Sequence, residues 1–102
     1  MNPAPGQRKL EIELPEQVAE GIYANMVLIA HSPSEFVFDF VRVVPGMPKS
    51  KVQTRVIMTP LNAKNFLMAL QKNIENFEKQ FGEIKISPQM KQGKTIGFNT
   101  EE

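Results

Sequence analysis

Cysteine is absent from this chain, and with it go disulfides, thiol nucleophiles and thiolate metal sites. Tryptophan is absent too, and histidine occurs once, as His31. One imidazole cannot build a metal cluster, and no serine–base–acid arrangement accompanies it. His31 reads instead as a turn-side residue bonding the backbone. Charge of one sign is not in excess: 12 Lys and Arg stand against 11 Asp and Glu. A net charge of +1 sets up no global field for nucleic acid or membrane. No window approaches the roughly 18 consecutive apolar residues of a membrane helix. No apolar run follows a basic N-terminal region, so no signal peptide is read and a cytoplasmic location is expected. No catalytic motif or phosphate loop is visible. The chain is read as no enzyme, with no cofactor and no metal.

What is present is a one-domain chain of 102 residues. Residues 1–8 read as a flexible tail, residues 9–86 as the domain, and residues 87–102 as a second flexible tail. Lys9 to Leu14 alternates, with Leu10, Ile12 and Leu14 on one side and Lys9, Glu11 and Glu13 on the other. That pattern predicts a short strand with one wet face, ended by Pro15. Glu16 to Glu20 suits a single helical turn, stopped by Gly21. Tyr23 to His31, Phe36 to Val44 and Val52 to Met58 are rich in β-branched and aromatic residues and predict three further strands. Ser32-Pro33-Ser34 and Pro45-Gly46-Met47-Pro48-Lys49 read as the turns between them. Glu83 to Ser87 offers a short edge strand.

Residues 60–81 predict a helix. Thr59 is placed as N-cap and Pro60 at the first helical position, where its missing N–H costs nothing. Ala63, Phe66, Leu67, Leu70, Ile74, Phe77 and Phe81 recur at helical spacing, and Gly82 follows as the stop. This stripe reads as core packing on the chain's own sheet, with a partner-binding helix as the alternative. At about 1.5 Å per residue the helix runs about 33 Å, so it lies along the strands or projects beyond them.

The expected fold is therefore α+β and two-layered: an antiparallel sheet of about four strands and one long C-terminal helix. Hairpins closing through Ser32–Glu35 and Gly46–Lys49 put Ile29 opposite Phe38 and Val27 opposite Phe40. On the other side they put Phe38 opposite Ile57, Phe40 opposite Arg55 and Arg42 opposite Gln53. Both sheet faces then carry large apolar side chains, and one helix covers only one face. A homodimer or higher oligomer is expected, with Phe38, Asp39 and Phe40 at its seam. A lone carboxylate in an apolar strand needs a partner. Arg42 and Arg55 are the nearest bases to Asp39, although this register sets them on the opposite face. Arg42, Met47, Lys49, Lys51 and Arg55 gather around the last hairpin. They form the expected partner-binding surface, with nucleic acid as the sharper alternative.

Four strings carry a resemblance: Tyr-Ala-Asn at 23–25, His-Ser-Pro-Ser-Glu-Phe-Val-Phe-Asp-Phe at 31–40, Val-Pro-Gly at 44–46 and Thr-Pro-Leu-Asn-Ala-Lys at 59–64. Over roughly residues 10–85 the chain resembles a small bacterial family of domains of unknown function, common in the Bacteroidota. The resemblance implies no activity. In relatives the gene often adjoins that of the RNA polymerase β′ subunit, which implies a transcription-linked accessory role. The order of strands and helix also looks like the SecB chaperone fold, which implies a holdase as the alternative function. Expected partners are a second copy and RNA polymerase or another protein, with nucleic acid left open and no membrane.

Overall fold

This computed structural model describes residues 10–87 and 98–101 of the chain, and every structural statement below concerns those residues. The elements are α1 (Glu16–Ala19), β1 (Met26–His31), β2 (Phe36–Arg42), β3 (Lys51–Met58), α2 (Pro60–Phe81) and β4 (Phe98–Glu101). The architecture is α+β, with β1, β2 and β3 forming an antiparallel sheet followed by the long helix α2. Phe98–Glu101 pairs in parallel with β1, opposite its β2 side. The tail expected at 1–8 lies outside the described residues, as do 88–97 and 102 of the tail expected at 87–102, whose residues 98–101 form β4.

The first hairpin is tight. The Ser32 N–H donates to the Glu35 carbonyl at 2.9 Å, and the Ser34 N–H donates to the Ser32 hydroxyl at 3.3 Å. Its register is the expected one, Ile29 opposite Phe38 and Val27 opposite Phe40. The second connection opens with Pro45-Gly46. Gly46 has φ 86°, and the Met47 N–H returns to the Val44 carbonyl at 3.2 Å. Proline followed by a positive-φ glycine suits a type II turn.

The β2–β3 register differs from the expected one by a single residue. Val56 stands opposite Phe38, Arg55 opposite Asp39 and Thr54 opposite Phe40. The pairing then shifts, and Val52 meets Val41 and Lys51 meets Arg42. Gln53 is the extra residue of a β-bulge. A one-residue slip exchanges faces along a whole strand. The correction therefore moves Arg55 from the side of Phe38 and Phe40 to the side of Asp39.

Two expected strands are not formed. Leu10 to Leu14 pairs with no strand among the described residues; Leu10, Ile12 and Leu14 stand 80%, 84% and 68% exposed. Alternation supplies the side-chain pattern of a strand but not its hydrogen-bonding partner. Glu83 to Ser87 is also unpaired, and the Ile84 N–H is held by the Glu78 carboxylate at 3.0 Å. That bond ties the segment to the end of α2 instead of the sheet.

α2 begins and ends where the sequence places it. The Thr59 hydroxyl accepts from the Asn62 N–H at 3.2 Å, and Pro60 opens the helix. Gly82, at φ 99°, closes it by donating to the Glu78 carbonyl at 2.9 Å. Only the first turns of α2 rest on the sheet. The Phe66 ring meets Phe38 edge-on, with centroids 5.7 Å apart, and Ala63 is buried beside them. Phe38, Val41 and Ala63 are the only buried apolar side chains among the described residues.

Candidate functional site

Side chains of β1 and β2 sit beside the first half of α2 without meeting all of it. Between them runs an open groove of about 530 Å³. Ile29, Phe36 and Phe38 form its floor, Pro60, Ala63, Phe66, Leu67 and Leu70 its wall, and Lys64 is the one charged residue lining it. The groove continues into the stripe of α2. Leu67, Leu70, Ile74, Phe77 and Phe81 are 56%, 45%, 40%, 47% and 69% exposed. The expected packing of this stripe on its own sheet is thus met only near Phe66. Phe77 and Phe81 lean on each other at 4.9 Å and otherwise stand open.

On the opposite sheet face Asp39 has found its partner. Arg55 Nε donates to Asp39 Oδ1 at 2.7 Å and Nη2 to Oδ2 at 2.9 Å, a two-pronged fork. These bonds, helped by the guanidinium charge against some burial, hold the Asp39 carboxyl below its ordinary value. The same bonds raise Arg55. The pair closes within one chain, and Asp39 and Phe38 lie on opposite faces. Phe38 is buried under α2, while Phe40 is half-buried on the same face as Phe38.

A depressed carboxyl stabilises the fold above its unfolded value, about 3.9, and that part is lost as pH falls through the folded value. Arg55 is 62% exposed, so water screens the pair. Asp39→Asn is expected to lower stability at pH 7 and to flatten the loss between pH 7 and pH 3. Urea midpoints at both pH values measure this, and parallel losses in both proteins would show that the fork is not a stabilising contact.

The basic hairpin forms a second, shallow hollow of about 230 Å³, lined by Arg42, Val44, Met47, Lys49, Lys51 and Gln53. Four of the five expected partner-binding residues meet here; Arg55 does not, being spent on Asp39 on the other face. Arg42 and Lys51 are direct cross-strand partners. Like charges so placed repel. Arg42 is partly offset by the Tyr23 ring, 5.9 Å from its guanidinium carbon. Met47 is 61% exposed.

Two features escape a pattern reading. The Asn25 amide donates to the Val43 carbonyl at 3.0 Å and its oxygen accepts from the Val43 N–H at 2.8 Å, so a side chain stands in for one more rung of the β1–β2 ladder. An Asn just ahead of a strand is the available signal, since its side chain imitates backbone. His31 stacks on Phe36 at 5.3 Å, where a backbone bond was expected; the signal is their cross-strand pairing. Among the described residues no three of His, Cys, Asp and Glu gather as metal ligands, and no helix is long and apolar enough to cross a membrane.

A family model described as "Protein of unknown function (DUF3467)" matches residues 1–86. No curated protein and no solved structure matches the chain.

Proposed function

The chain belongs to the DUF3467 family, whose description assigns no activity, and from its own surfaces we propose that it is a non-catalytic, self-associating protein-binding module. The exposed stripe of α2 carries this reading. Leu67, Leu70, Ile74, Phe77 and Phe81 leave on the order of 500 Å² of contiguous apolar surface open, at the upper end of what a monomer shows. Pro60 and Phe66, on the wall of the groove, extend this patch toward the sheet. A second copy presenting the same stripe is self-complementary about a two-fold axis.

The hollow of the basic hairpin is the surface offered outward. Arg42 and Lys51 repel one another until an acidic group lies between them, and exposed Met47 adds an adaptable apolar contact. An acidic protein surface suits it, and an accessory role on the transcription machinery fits that chemistry. A SecB-like holdase is the second reading, favoured by the groove, which is apolar and open to an extended chain.

Capture from native lysate tests both. Lys49→Glu with Lys51→Glu is expected to leave folding and oligomer size intact while weakening capture of one defined partner. Recovery of many unrelated unfolded chains, unchanged by the double variant, supports the holdase instead. Recovery lost on nuclease treatment would reassign the hollow to nucleic acid.

A further inference from the structure

Residues 10–14 form an arm with strand chemistry and no strand partner. Leu10, Ile12 and Leu14 alternate with Glu11 and Glu13, and all three apolar side chains are more than two-thirds exposed. At the far side of the sheet β3 is terminal, and among the described residues no strand pairs with its outer edge. An open edge is a row of unpaired N–H and C=O groups ready to accept another strand.

We propose that the arm of one copy adds to the outer edge of β3 in a second copy, so that two chains exchange N-terminal strands. The proposal rests on the self-associating reading above and adds a second contact to the seam formed by the α2 stripe. The apolar face of the arm matches the helix-side face of β3, and its acidic face falls on the side of Arg55, which β3 shares with the exposed Ile57. Thr54, Val56 and Met58 are half-buried on the helix side, so Ile12 and its apolar neighbours extend that layer. Arg55 points to the other side, 62% exposed, where Glu11 and Glu13 fall. Its fork to Asp39 uses Nε and Nη2, and a guanidinium has five N–H donors, so donors remain for an incoming carboxylate. Among the described residues the arm pairs with no strand of its own chain and its apolar side chains stand exposed, so it is available to the edge of a second copy. Recognition by an added strand takes its affinity from main-chain bonds and its register from alternate side chains.

The chain has no cysteine, so introduced thiols are unique. Full-length Glu11→Cys and full-length Ile57→Cys are purified separately, mixed, and treated with a short bis-maleimide. A cross-linked species of twice the chain mass is expected, weakened by adding Ile12→Asp, which should raise the dimer dissociation constant at least about tenfold. A double Glu11→Cys, Ile57→Cys chain that cross-links only within itself would place the arm on its own edge and overturn the exchange. A wild-type dimer by light scattering with no cross-link in the mixture overturns the exchange and leaves self-association standing. A wild-type monomer at micromolar concentration overturns both.

Discussion

Phe77→Asp is expected to split the proposed oligomer into folded single chains. In the isolated chain Phe77 is 47% exposed and touches Phe81, so a carboxylate there meets water and α2 keeps its caps. In a dimer joined through the stripe the same carboxylate is buried against apolar side chains. Burying a Phe contributes about 1.5–3 kcal/mol, and a central aromatic anchor about 2 kcal/mol or more. A two-fold dimer carries the substitution twice, so the loss is about 4 kcal/mol, or about a thousandfold in dissociation constant. Light scattering should fall to the 11.5 kDa of one chain, with the helical circular dichroism retained. An unchanged mass would remove the stripe from the interface. Loss of helix would show that the stripe is needed by the single chain.

The elements that could be read from sequence are those whose instructions are local. Thr59, Pro60, a helical apolar spacing and Gly82 bound α2 without reference to the rest of the chain, and the helix runs Pro60–Phe81. The first hairpin was legible for the same reason, since a tight turn at Ser32–Glu35 fixes which residues face each other. The second was not. Its loop is long, and the bulge at Gln53 leaves no mark in the alternation of residues 51–58. A slip of one position hides the fork between Asp39 and Arg55, although both residues stand out in the sequence. Leu10 to Leu14 failed in a different way. Its pattern is that of a strand, but a strand also needs a neighbour, and alternation in one chain does not say which chain supplies it. The convergence of Arg42, Met47, Lys49 and Lys51 on one hollow was legible, because neighbours across one hairpin come together whatever the register. Arg55 left the cluster once the register was known.

Phe38→Ala is expected to cost more folding stability than any change in the exposed stripe. Phe38 is 7% exposed, and it is the residue on which the layers meet. Phe66 packs edge-on against it at 5.7 Å, and Phe36 stacks at 6.4 Å. Truncating a buried Phe costs about 3–5 kcal/mol, and an aromatic pair adds about 0.5–1.5 kcal/mol beyond the area it buries. The groove beside Phe38 opens to solvent, so water fills part of the space left behind. That places the loss toward the lower figure, about 3 kcal/mol. Against the 5–15 kcal/mol typical of a whole domain this is a large share. Urea unfolding followed by circular dichroism should show a lowered midpoint at every protein concentration. Phe77→Asp should instead shift the midpoint chiefly where the wild type is associated, because it removes a contact between chains. If Phe38→Ala also loses stability only where the wild type is associated, Phe38 belongs to the seam between copies and α2 is not anchored on its own sheet.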